Sequence, residues 1–309
     1  KVWKVAQRKA KRPSDLRADV PPWLDAVVVR MVCQAPGLTV DDGGDPAKRF
    51  VDMTHVQTTL RTGAEQARQA AAAAEKRRQE AAEQERQRVA AEQARQAAAA
   101  HAAEAACHQL GIELVKIPAG EFLYGDDKER VWLDAYSIAK TPITNRQFKA
   151  FVDATHHQAP SHWQSGKIPA DTEDHPVICV SWNDAVAFCK WVGVTLPSEQ
   201  QWEKAARGTD GRTYPWGEAM PDKHRCNFNK EVGYTTPVGK YPAGVNGLLD
   251  MTGNVWEWCG DWSVESVSRV LRGGSWWNSA NDVRCAYRDR DYPDYRVVDI
   301  GFRVVSPSS

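Results

Sequence analysis

Leu249-Asp250-Met251-Thr252-Gly253-Asn254-Val255-Trp256-Glu257-Trp258 sets two carboxylates on either side of a tight turn and runs straight into a Trp-rich segment. Around it, from about Gly111 to Val305, lie eleven of the thirteen tryptophans and most of the glycines. Ile112–Ile117 followed by Pro118-Ala119-Gly120 reads as a first strand and turn. Three short helices with start signals follow. Thr144-Asn145 precedes a face of Phe148, Phe151 and Val152, and Ser181-Trp182-Asn183 precedes Ala185–Trp191. Ser198-Glu199-Gln200-Gln201 is a capping box before Trp202–Arg207. After Gly208 come loops and short strands, down to Asp299–Val305. The expected fold class is α+β, one loop-rich domain of about 200 residues around an aromatic core.

Upstream the composition changes. Gly63 to about His108 is almost wholly Ala, Glu, Gln and Arg without Pro, and Ala64–Ala73 (AEQARQAAAA) recurs letter for letter at Ala91–Ala100. These strong helix formers predict one helix of ~45 residues and ~65 Å. Val89 is its only branched aliphatic, so a helical spacer is expected rather than a strong coiled coil. Residues 1–62 carry a basic start (Lys1, Lys4, Arg8, Lys9, Lys11, Arg12, Arg17) and an apolar run over Trp23–Val32. Their role is not legible, and the tail of a truncated module is one expectation. The division is therefore 1–62, a spacer over 63–109 and the α+β domain over 110–309.

Lys plus Arg equals Asp plus Glu at 40 each, so no global charge points to nucleic acid or an anionic membrane. No apolar run reaches the ~18 residues of a membrane span, and no signal peptide is visible. Seven scattered cysteines without a C-x-x-C pair argue against a zinc site and a disulfide framework. Free buried thiols in a reducing cytoplasm are expected.

The motifs of the domain come in a fixed order. They are Ile117-Pro118-Ala119-Gly120-Glu121-Phe122, Lys140-Thr141-Pro142-Ile143-Thr144-Asn145, Leu196-Pro197-Ser198-Glu199, Tyr214-Pro215-Trp216-Gly217, Gly253-Asn254-Val255-Trp256-Glu257-Trp258, Arg272-Gly273-Gly274-Ser275-Trp276 and Gly301-Phe302-Arg303. The series resembles the formylglycine-generating (sulfatase-modifying-factor) family across essentially all of Gly111–Val305. The resemblance implies a C-type-lectin-like fold with its N- and C-terminal strands paired. The family's oxidation of a sulfatase cysteine needs two cysteines shortly after Gly-Gly-Ser, as nucleophiles or soft copper ligands. Asn278 and Val283 stand near those positions here. No catalytic residue is therefore expected, and a metal-dependent oxidase of sulfatase-modifying type is the alternative.

Arg269–Val305 looks more closely like the variable region of proteins diversified by retroelements, in which template adenines, chiefly of Asn codons, are replaced. The resemblance implies a ligand-binding surface made of Asn278, Ser279, Asn281, Asp282, Tyr287, Asp289, Asp291, Tyr292, Tyr295, Val297, Val298 and Asp299. All are residue types reachable from an Asn codon by changing its adenines. The alternation of Tyr287, Asp289 and Asp291 with Arg288 and Arg290 fits one face of an extended segment. Tyr, Asn, Ser and Asp suit adaptable contacts, with Trp276 and Trp277 as a floor. The implied partner is a protein or other macromolecule, with an effector or signalling module upstream as a further possibility. A lectin-like pseudoenzyme whose face does not vary is another alternative. For the opening turn, Asp250 and Glu257 with the carbonyls of Gly253 and Val255 form an expected calcium cage. A buried Glu257–Arg303 ion pair is the competing reading.

Overall fold

The structure, a computed structural model, describes residues 53–306. The basic start, the Trp23–Val32 run and Cys33 lie outside the described residues. The chain divides into a unit ending at Ala91 and a unit starting at Glu92.

The Ala-rich segment is one helix, α1 (Met53–Gln109), which begins earlier than Gly63. A helix-interior glycine costs about 1 kcal/mol relative to alanine, which a run of strong helix formers carries. From Glu65 to Ala91 its surface is solvated, with spaced pairs such as Lys76–Glu80 at 3.7 Å. In the second unit its end is packed. Ala100, Ala103 and Cys107 are buried, and the latter two join the main core. The small Ala103 side chain lets α1 approach Gly193. Gly111, at φ +68°, closes the helix in the left-handed conformation, and Ile112 N–H reaches back to Cys107 C=O at 2.8 Å.

The second unit continues with β1 (Leu114–Ile117), β2 (Gly120–Tyr124), β3 (Glu129–Leu133) and β4 (Tyr136–Ala139). Three helices follow, α2 (Asn145–Thr155), α3 (Trp182–Val192) and α4 (Glu199–Arg207). Each opens on a full capping box, Thr144/Gln147, Ser181/Asp184 and Ser198/Gln201 respectively. Then come β5 (Trp256–Val264), β6 (Ser268–Arg272), β7 (Arg288–Asp291), β8 (Ile300–Gly301) and β9 (Val305–Ser306). The sheets are β1-β4-β9, β2-β3 and β7-β6-β5-β8. The N- and C-terminal strands thus share a sheet but do not pair with each other. β4 lies between them, antiparallel to both.

The main core joins the α1 end, α2 and α3 to the β5/β6 sheet through Phe148, Phe151, Phe188, Trp258 and Phe302. Phe148 and Phe188 stack at 5.9 Å, and Phe302 meets both edge-on. A second cluster, with Trp202, Tyr136, Ile138 and Val270, seats α4 against β4 and β6. The segment after β6 is carried on this floor.

Candidate functional site: a surface over a buried frame

Arg272-Gly273-Gly274 turns the chain out of β6 with both glycines at positive φ. A Cβ at Gly274 would stand 2.6 Å from Val283 Cγ1 and 3.0 Å from the Asp282 carbonyl, so the turn and the 279–283 segment pack too closely for a side chain. The chain then alternates between frame and surface. Ser275, Trp276, Val283, Cys285 and Ala286 are buried. None of the twelve expected ligand-facing residues is buried. Ser279, Asn281, Asp289, Tyr292, Tyr295 and Val298 are exposed, and Asn278, Asp282, Tyr287, Asp291, Val297 and Asp299 are half-buried.

The half-buried members fix the surface as well as face it. Asn278 Oδ1 accepts from the Ser275 N–H at 3.1 Å, and the Ser275 hydroxyl lies 2.9 Å from Asp299 Oδ2. Asp282 accepts from the Ser279 amide at 3.0 Å. Tyr287 and Val297 lean on the main core, Tyr287 with its ring 6.1 Å from Trp256. Burial pushes up the carboxyls of Asp291 and Asp299, and Asp289 and Asp299 push Asp291 further. β7 takes the extended form expected of Arg288–Asp291 as an outermost strand.

Two tryptophans divide the roles expected of both. Trp276 is buried and forms floor, whereas Trp277 is 55% exposed. Lys230 Nζ sits 3.8 Å from the Trp277 ring centre. The Asn229 and Lys230 amides bond the carbonyls of Asn278 and Trp276 at 2.8 and 2.7 Å, bringing in a loop that sequence reasoning did not assign. Arg296 is also new to the site. Its guanidinium clamps Asp184 at 2.7 and 3.0 Å, pinning the 292–298 loop to the start of α3.

The positions where the family's chemistry needs thiols are otherwise engaged. Val283 is fully buried with Tyr214, Cys226 and Phe228. Cys285 lies under the frame with its thiol pushed up to about 12 by burial. All six described cysteines are free and buried. Among the described residues no group of three or more His, Cys, Asp or Glu is placed to hold a metal.

The two carboxylates of the expected calcium set are both buried and differ in their partners. Glu257 is fully buried and both its oxygens are taken. Oε2 accepts from Arg303 Nε at 2.6 Å and Trp202 Nε1 at 2.7 Å, and Oε1 from Arg303 Nη2 at 2.8 Å. The Glu257–Arg303 ion pair named as the competing reading is thus present, and the guanidinium neutralises the carboxylate. Arg303 Nη2 also reaches the carbonyls of Leu249 and Asp250 at 3.0 and 3.3 Å. Asp250 differs. Its Oδ2 accepts the Gly239 N–H at 2.6 Å, and burial pushes its carboxyl up to about 6. Both carboxylates are hard oxygen donors of the kind calcium takes, but that of Glu257 is paired with Arg303 whereas Asp250 has no ion-pair partner among the described residues. Gly253 is obligatory at the turn, at φ +74° and with a would-be Cβ 2.2 Å from the Asn227 carbonyl.

The description "Sulfatase-modifying factor enzyme 1-like domain" matches residues 99–307, from the docked end of α1 through β9. The chain belongs to that family. Its relatives include the formylglycine-generating enzyme of Thermomonospora curvata, 32% identical over 62% of this chain and 92% of the enzyme. The serine/threonine-protein kinase Pkn1 of Chlamydia trachomatis is 35% identical over 62% of this chain but only 38% of the kinase. Among solved structures, Treponema denticola variable protein 1 superposes with a TM-score of 0.54 and 25% identity, over 63% of this chain and 95% of that one. The α+β, C-type-lectin-like fold expected from the motif series is the fold of these neighbours. No described helix is long and apolar enough to cross a membrane.

Proposed function

We propose that this member of the family is a binding protein, which displays a diversified surface on a lectin-like frame and lacks formylglycine-generating activity. One observation carries the reading. None of the twelve surface positions is buried, six being exposed and six half-buried, while Trp276 just before them and Val283, Cys285 and Ala286 among them are buried. Such an arrangement lets most of the face change without removing a buried core side chain, Tyr287 and Val297 being the two members that rest on the core. The enzymatic alternative lacks thiols at Asn278 and Val283, and burial raises the remaining thiols away from the reactive thiolate. Free, buried cysteines support a reducing, cytoplasmic location. An upstream effector or signalling module is part of the same proposal, and Pkn1, a kinase by name, extends well beyond the region shared with this chain.

Two measurements test it. A sulfatase-type cysteine peptide incubated with the protein, copper and oxygen should show no aldehyde by mass spectrometry, and stoichiometric conversion would sink the reading. Tyr292→Ala with Tyr295→Ala should weaken a selected ligand by about a hundredfold, since exposed aromatic anchors dominate such interfaces. The same pair should leave the melting temperature within about 1 °C, because both rings are more than half exposed.

We further propose that calcium binds at Asp250 with the carbonyls of Gly253 and Val255. Without the ion, the folded chain holds the Asp250 proton more tightly than the unfolded chain does. Stability then falls as pH rises from about 4 to about 6 and stays level above. In chelator, Asp250→Asn should therefore be the more stable protein at pH 7.5, by up to about 3 kcal/mol, and the gap should close below pH 4. Millimolar calcium should raise the melting temperature of the parent and not of the variant. Equal responses would remove the calcium proposal.

A further inference from the structure

The binding face proposed above has a chemistry that indicates what it holds. Asp289, Asp291 and Asp299 form its acidic middle, and none of the three has an ion-pair partner among the described residues. The neighbouring cations are mostly committed elsewhere. Arg284 pairs with Asp126 at 2.6 Å, Arg288 with Glu199 at 3.0 Å and Arg296 with Asp184 at 2.7 Å. Arg290 alternates with Asp289 and Asp291 along β7 and so projects to the opposite side of the strand.

β7 is outermost in its sheet, a place where an extended segment could add. Two donors here, one in β7 and one just after it, are already closed. The N–H of Arg290 bonds Asp289 Oδ1 and the N–H of Tyr292 bonds Asp291 Oδ1, both at 2.8 Å. The side chains that remain on this side offer acceptors and call for donors in return. The same 277–299 stretch carries Trp277, Tyr292 and Tyr295, each more than half exposed, and one of these rings already holds an ammonium, that of Lys230. Exposed rings and carboxylates without counterions have one complement in common, an Arg or Lys side chain.

We propose that this face recognises a cationic protein segment, an extended stretch presenting Arg or Lys side chains to Asp289, Asp291 and Asp299 and to the three aromatic rings. The proposal rests on the binding reading above. Nucleic acid and anionic lipid are the wrong sign for it, as is an acidic peptide.

The test selects from an unbiased displayed peptide library on the full chain, and then measures two synthetic peptides of equal length by calorimetry, one alternating Arg and Ser and one alternating Glu and Ser. The expected result is enrichment of basic peptides, binding of the Arg peptide and none of the Glu peptide. Asp289→Asn with Asp291→Asn keeps an oxygen for each amide while removing both charges, and should weaken the Arg peptide by about tenfold. An unchanged melting temperature of that variant excludes unfolding as the cause. Enrichment of neutral or acidic peptides that still need Tyr292 and Tyr295 would overturn the cationic partner and leave the binding function standing. An Arg peptide indifferent to the double substitution would do the same. If no peptide depends on Tyr292 and Tyr295, both readings fall.

Discussion

Arg303→Met is expected to destabilise the domain by about 3–5 kcal/mol, because it strands the fully buried carboxylate of Glu257 without its counterion. The side chain does more than pair. Its Nη1 donates to the carbonyls of Ala139 and Lys140 at 3.0 and 3.2 Å, and its Nη2 to those of Leu249 and Asp250. It thereby ties the end of β4 and the 249–250 turn to β5. Methionine supplies no donor to any of them, and each acceptor left dry adds to the loss. Native domains have about 5–15 kcal/mol in hand, so this variant stands near its limit. Urea unfolding reads the effect as a lower midpoint at unchanged slope. Arg303→Met with Glu257→Leu should recover part of the loss, since an apolar pair strands no charge. A single variant within 1 kcal/mol of the parent would show that the pair is not what closes the turn.

Glu203→Gln is expected to cost a comparable amount, about 3–5 kcal/mol, and to be felt at the binding face. Glu203 is buried between Arg207, at 2.5 Å, and Arg272, and also accepts the Gly125 N–H at 2.7 Å. Glutamine keeps the shape and leaves two buried guanidinium groups sharing no carboxylate. Arg272 in turn holds the carbonyls of Cys285 and Ala286 at 2.8 and 3.3 Å, the buried frame just before Tyr287. Loss of the charge should therefore raise hydrogen exchange over 285–292 beyond what global destabilisation explains. Protection in that stretch equal to the parent's would separate the ion network from the face.

The frame of this fold was largely legible, because its signals are local. Ser198 and Gln201 stand three residues apart and cap α4 as the pattern predicts. The aromatic and Gly-rich motifs fell on the buried turns and strands where their residue types are needed, with Gly253 and Gly274 against backbone. What was not legible depends on partners distant in sequence. Residue types at the 249–257 turn suit an ion or a guanidinium equally well, and the choice of Arg303 for Glu257 is made by packing across 46 residues. The docked end of α1 gave no signal, since Ala100 and Ala103 look like the alanines of the solvated part. Trp276 and Trp277 are adjacent and identical in type, yet the turn after Gly274 sends one inward and the other outward. The Lys230 loop joins the face through main-chain bonds, which no side-chain pattern announces.

The central claim is that a fixed buried frame carries a changeable surface, and sequence variation across a natural population tests it most directly. Deep sequencing of the coding region for residues 269–305 in many isolates should place nearly all amino-acid changes at Asn278, Ser279, Asn281, Asp282, Tyr287, Asp289, Asp291, Tyr292, Tyr295, Val297, Val298 and Asp299. Trp276, Val283, Cys285 and Ala286 should stay constant. An invariant region, or changes spread evenly over surface and frame, would contradict the account.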